Sequence, residues 1–237
     1  MSTFVLIHGA FHGGWCWYKV APLLEKQGHT VLAPDLPSHG RDKTPLSAVT
    51  LQLYVDSVCK LLDAQREPVI LVGHSMGGGI ITQVAEERPD RIKRLVYLTA
   101  ALPRNGQSMF EEFQQDTESA ALANFVIAPD QSYATFRETG LKEAFYGDCA
   151  EEDIALAKLL VVPQALAPTG TPIKTSEANW GRIPRVYIEC LCDRALTPPF
   201  QKRLYTVVPC QQVISMDTSH SLFFSAPGEL ARHLMAL

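Results

Sequence analysis

The chain has 237 residues and a formal net charge of −4, with 46% hydrophobic and 19% charged residues. That is enough for one well-cored domain with an insertion, in an ordinary globular balance. The charge gives no electrostatic reason for a nucleic-acid or anionic-membrane partner, and no apolar run approaches the roughly 20 residues that span a bilayer.

In chain order, residues 3–7, 30–33, 69–72 and 94–98 are short runs rich in Val, Ile and Leu. They lack polar alternation, so they are expected as strands buried on both faces, the pattern of a parallel sheet. Residues 15–27, 51–66 and 76–88 lie between them with helical spacing, stopped by Gly28, Pro68 and Pro89. Thr50 stands where the second of these helices needs its N-cap. After Pro103 the texture changes. Residues 107–124 form an acidic helical stretch with Met109, Phe110 and Phe113 on one side, 150–160 is helical again, and Pro163, Pro168 and Pro172 break up the chain beyond it. Strands return at 185–191 and 212–216, helices at 198–206 and 227–235. The expected class is α/β, a mostly parallel sheet with helices on both faces. Residues 1–103 and 181–237 would form its core, and 104–180 a helical cap inserted into it.

The opening Met1-Ser2-Thr3-Phe4-Val5 enters a strand-like run without the basic start of a leader, so a cytoplasmic location is expected. Cys16, Cys59, Cys149, Cys190, Cys192 and Cys210 form no C-x-x-C pair and no metal-ligand spacing. They are expected as free thiols, with no metal and no cofactor.

Gly73-His74-Ser75-Met76-Gly77 matches G-x-S-x-G, the sharp strand-to-helix turn that lifts a nucleophilic serine above the sheet in α/β-hydrolases. The five-residue pattern alone is weak. Its context is not, because Pro68–Val72 supplies the strand and Gly78–Ala85 a helix that opens on small residues. Such enzymes present serine, acid and histidine in that chain order. His220 follows the last strand, where a loop would carry its imidazole over the turn. Two carboxylates compete to orient it. Asp193 follows the strand ending at Leu191, whereas Asp217 lies only three residues before His220. A separate strand end holds the required geometry more readily, which favours Asp193 and leaves Asp217 to stabilise its loop. Glu189, within the strand, is a weaker third candidate. Two N–H groups should hold the oxyanion, those of Met76 and of Ala10 in the loop His8–Gly14. His8 and His12 are expected to brace that loop, with Gly9 and Phe11 contacting substrate.

His8-Gly9-Ala10, the segment His12–Lys19, Pro34-Asp35-Leu36 and Val72–Gly78 resemble the plant methylesterase and hydroxynitrile lyase family. The likeness extends to Pro198–Lys202 and the His220 loop and is loose in the cap. It implies a cofactor-free enzyme with a helical cap over a narrow apolar pocket, often a homodimer, acting on a small-molecule ester. The lyases of that family mostly carry threonine where this chain has Gly9 and lysine where it has Ser221. Gly9 cannot supply the threonine hydroxyl and Ser221 cannot supply the lysine charge, so the resemblance points to the esterase branch. Met109, Phe110, Phe113, Phe125, Phe136, Phe145, Tyr146 and Trp180 are candidates for an aromatic-accepting pocket or for plain cap core.

Overall fold

The computed structural model describes residues 1–237. Strands β1 (Thr3–Ile7), β2 (Thr30–Leu32), β3 (Val69–Ser75) and β4 (Ile92–Ala100) come from the first part of the chain. Strands β5 (Phe125–Ile127), β6 (Tyr133–Phe136) and β7 (Gln164–Ala165) come from the middle, β8 (Arg185–Cys190) and β9 (Gln212–Met216) from the last part. Six of them form one sheet in the order β2-β1-β3-β4-β8-β9. Every neighbouring pair in it is parallel. The missing polar alternation has a direct cause. Val5 and Ile7 enter the apolar cluster on one face and Phe4 and Leu6 the cluster on the other. Both faces of β1 are therefore shielded from water by helices.

Helices α1 (Ala21–Glu25), α2 (Leu51–Asp63) and α3 (Gly77–Glu87) connect the first strands. Thr50 caps α2 by accepting the Leu53 N–H at 3.1 Å. Between β4 and β8 lie α4 (Met109–Phe113), α5 (Ala120–Asn124), α6 (Glu138–Phe145), α7 (Glu151–Leu160) and α8 (Ala167–Gly170). Helices α9 (Pro198–Val207), α10 (Leu222–Ser225) and α11 (Pro227–Met235) complete the chain. No helix is long and apolar enough to cross a membrane.

Three expected features differ. The helix expected over 15–27 is a 3-10 turn, Gly14–Trp17, followed by the short α1. Pro22 lies in the first turn of α1, the only place where its ring fits, so the helix restarts there. The helix expected over 107–124 divides into α4 and α5. Between them, Asp116 accepts the Thr197 N–H and hydroxyl, each at 2.7 Å, and Ser119 donates to the Ala195 carbonyl at 2.7 Å. These bonds pull the chain off the helical path, and Ser108 and Ser119 cap the two pieces separately. The inserted segment is also not purely helical. Strands β5, β6 and β7 pair antiparallel as a second, three-stranded sheet. Their lengths of three, four and two residues are too short for a period to register in sequence.

Helix α4 is tied to the core by one buried carboxylate. Glu112 accepts the Leu102 N–H at 2.9 Å just beyond β4. Burial pushes its carboxyl up to about 8, only partly offset by that bond and by Arg104 and Arg203 nearby. The folded state therefore keeps a proton that the unfolded chain releases, and stability falls as pH rises from about 4.5 towards 8. Glu112→Gln retains an acceptor for Leu102 and escapes the penalty. Its melting temperature should match that of wild type near pH 5 and exceed it by on the order of 5 °C near pH 8.5. A difference that stays flat with pH would contradict this.

Candidate active site

Strand β3 ends at Ser75 and α3 begins two residues later. So abrupt a turn forces Ser75 into the left-handed region, with φ of +53°. It also excludes side chains nearby, since a Cβ on Gly73 would lie 2.6 Å from the Gly77 carbonyl oxygen. The residue pattern of the turn thus follows from its crowding.

His220 lines the same pocket as this turn and is 1% exposed. Its Nδ1 is 2.7 Å from Asp193 Oδ2, so Nδ1 carries the proton and Nε2 presents a lone pair. Nε2 is buried and has no hydrogen-bond partner, Ser75 Oγ included. Serine–histidine bonds are often open in unliganded enzymes and tighten when substrate binds. Asp193 is fully engaged. Oδ1 accepts the N–H groups of Ala195 at 2.7 Å and Leu196 at 3.0 Å, and Oδ2 also accepts the Thr99 hydroxyl at 2.5 Å. Asp217 is exposed and accepts from the Cys192 thiol, while Glu189 accepts from Tyr205 and Ser215. Of the three carboxylates weighed, only Asp193 meets His220.

The His220 loop is held from both sides. Asp148, after α6, accepts the Ser219 N–H at 2.9 Å and its hydroxyl, and His74 Nε2–H donates to the His220 carbonyl at 3.0 Å. Sequence carried no signal for Asp148, because it contacts the loop only through the fold.

The β1 loop is braced by its own histidines. His8 Nε2 accepts the Leu36 N–H at 3.1 Å, which leaves Nδ1–H to donate to the Gly9 carbonyl at 2.8 Å. His12 Nδ1–H donates to the Ala10 carbonyl at 2.8 Å, and its Nε2 accepts from Tyr146 at 2.7 Å. Burial lowers His12 to about 4 and holds His8 and His74 well below the usual imidazole range. All three are neutral struts at physiological pH.

Gly9, Ala10, Phe11, Ser75, Met76 and His220 line one pocket. Fourteen of its 22 lining residues are hydrophobic and none is Lys, Arg, Asp or Glu, so it suits an uncharged, apolar ligand. Phe11, with φ of +66°, sets its ring edge-on to Phe125 and Phe136, centroids 5.5 and 5.7 Å away. Phe110, Phe113, Phe125 and Phe145 form pocket wall. Met109, Phe136, Tyr146 and Trp180 do not. Phe136 packs behind Phe145 at 4.5 Å, and Trp180 donates to Tyr97 on the core. Sequence reasoning missed Gln164, a buried lining residue whose amide is engaged by Tyr54 and the Ala165 carbonyl.

Residues 4–233 match the alpha/beta hydrolase family. The chain belongs to that family. Methylesterase 1 of Arabidopsis thaliana is 33% identical to it over 99% of this chain and 95% of that protein. Polyneuridine aldehyde esterase shares the fold with a TM-score of 0.92 and 28% identity, covering 100% of this chain and 98% of that one. A pyrethroid hydrolase from Sphingobium faniae JZ-2 does so with 0.90 and 33%, over 99% and 96%. This α/β-hydrolase stands in the esterase branch.

The expected cytoplasmic location is corrected by other relatives. Putative methylesterases 11, 13, 14 and 15 of Arabidopsis thaliana are chloroplastic and 32–33% identical to this chain. The chain spans 72% of methylesterase 14, 64% of 11, and 56% of 13 and of 15. The matched region is shared with these chloroplastic relatives, so the first residues of the sequence were no guide to a compartment.

Gly9 leaves no room for a side chain: a Cβ there would lie 2.8 Å from Ser75 Cβ and 3.0 Å from His74 Nδ1. Gly9→Thr must displace the β1 loop or the turn at Ser75. It is expected to keep its circular dichroism and lower kcat/KM for an aryl ester on the order of 100-fold, as misplacements near 1 Å do. Activity within threefold of wild type would contradict that crowding.

Proposed function

We propose that the protein is a serine carboxylesterase that hydrolyses small aryl or methyl esters through an acyl-serine intermediate. Ser75 is the nucleophile, His220 the general base and Asp193 the group that orients it. The observation that carries this is the buried, unpartnered Nε2 of His220, which shares a pocket with a serine in a left-handed turn while Nδ1 bonds a carboxylate. His220 takes the Ser75 hydroxyl proton as Oγ attacks the ester carbonyl carbon. The carbonyl oxygen takes up negative charge and is held by the Ala10 and Met76 N–H groups. The C–O bond to the alcohol then breaks, and the alcohol leaves with the proton from His220. Water, deprotonated by the same imidazole, releases the acid and restores Ser75.

Gly9 and Phe11 contact the substrate, and residues 104–180 act as a cap over a core made of 1–103 and 181–237. The apolar lining supports neutral ester substrates, in keeping with relatives named methylesterase and pyrethroid hydrolase. Cyanohydrin cleavage is disfavoured. Gly9 lacks a hydroxyl, and no lysine or arginine lines the pocket to receive cyanide.

A panel of methyl, aryl and short-chain p-nitrophenyl esters, assayed with wild type and Ser75→Ala, tests this. Wild type should turn over at least one ester with kcat of about 1 s⁻¹ or more, and Ser75→Ala should lose ~10⁴-fold or more. Mandelonitrile should release no cyanide. Equal activity in Ser75→Ala would end the proposal. Turnover far below 1 s⁻¹ on every ester would point instead to a small-ligand receptor.

A further inference from the structure

At the upper end of the β3–β4 ladder the register slips by one residue. His74 pairs with Leu98 and Ser75 with Ala100, so Thr99 is an extra residue facing the serine turn. Bulges of this kind turn a side chain out of the regular alternation. Thr99 has φ of +37°, a left-handed conformation in which a β-branched residue is a genuine outlier. Glycine or asparagine would adopt it with less strain. What threonine adds is a hydroxyl. The residue is 0% exposed, and Oγ1 donates to Asp193 Oδ2 at 2.5 Å, the oxygen that also accepts from His220 Nδ1 at 2.7 Å.

We propose that Thr99 is a positioning residue for ester hydrolysis, holding the Asp193 carboxylate in its plane and moderating its pull on His220. Thr99 has this role only if Ser75, Asp193 and His220 perform the chemistry proposed above. Two donors on Oδ2 divide its negative charge. Without the hydroxyl, more of that charge falls on the Nδ1–H of His220, and the imidazolium is better stabilised. The acid limb of the rate profile then moves up, and the carboxylate gains freedom to rotate. The other groups around the pair do not depend on Thr99. His74 and His12 face the His220 ring as neutral imidazoles, and Asp148 bonds Ser219. Asp116, Tyr187 and Cys190 face Asp193, and burial raises all three. Thr99 does not line the pocket, so substrate binding is untouched.

Thr99→Val keeps the branched shape and removes the donor, while Thr99→Ser keeps the donor. Both are compared with wild type and Ser75→Ala for kcat, KM and the pH profile of kcat/KM. Thr99→Val should lower kcat about tenfold, the worth of one hydrogen bond to a charged group. Its KM should stay within about twofold and its acid limb should move up by about half a pH unit or more, with Thr99→Ser near wild type in all three. If valine prevents folding, Thr99→Ala against Thr99→Ser makes the same comparison, since these differ only in the hydroxyl. An unmoved acid limb in the hydroxyl-less variant, or a serine variant as impaired as that variant, overturns the role. An inert Ser75→Ala beside an unchanged Thr99→Val removes this role alone, whereas an active Ser75→Ala removes the esterase mechanism and this role with it.

Discussion

A carboxylate taken out of water is tolerated only when its lone pairs are filled, and Asp193 meets that condition with four hydrogen bonds. Its donors come from separate parts of the chain. Ala195 and Leu196 lie in its own loop, Thr99 is the penultimate residue of β4, and His220 follows β9. The loop is fastened in turn by Asp116 and Ser119 of the inserted segment. One buried charge therefore draws the sheet, the insertion and the histidine loop into a single arrangement. Removing it would strand several donors together, a far larger loss than one ordinary bond.

The electrostatics around this pair are otherwise quiet. His8, His12 and His74 are buried close by, yet each is held neutral and given a structural partner. His12 props the Ala10 carbonyl, and His74 props the backbone of His220 itself. Three neutral imidazoles thus orient peptide groups without adding positive charge beside His220. With no charged side chain in the pocket wall, the polarity of the site is confined to the turn, the imidazole and nearby backbone.

Much of this was legible in the residues because it rests on local rules. Strand β1 (Thr3–Ile7) carries apolar residues on both faces, and that pattern already implied a covered parallel sheet. The crowding at Gly73 and Ser75 appears in sequence as the glycines themselves. Asp193 stood out from Asp217 because a carboxylate after a separate strand reaches an imidazole more readily than one three residues away in the same loop. What was hidden depends on contacts between distant segments. The division of 107–124 into two helices comes from Asp116 and Ser119 reaching the loop after β8. The strands of the small sheet are too short for any period, and Thr99 became visible only through the slipped register. The cellular compartment was not legible at all, since the fold does not encode it.

The central claim is that Asp193, acting on His220, makes Ser75 a nucleophile. Its most direct test is the rate and site of fluorophosphonate labelling, mapped by peptide mass in wild type, Asp193→Asn and Asp217→Asn. The adduct should fall on Ser75. Asp193→Asn should label ~10³-fold to 10⁴-fold more slowly, as loss of the orienting carboxylate does in serine proteases. Asp217→Asn should label at the wild-type rate. An adduct on another residue, or an Asp193→Asn variant that labels as fast as wild type, would contradict the account.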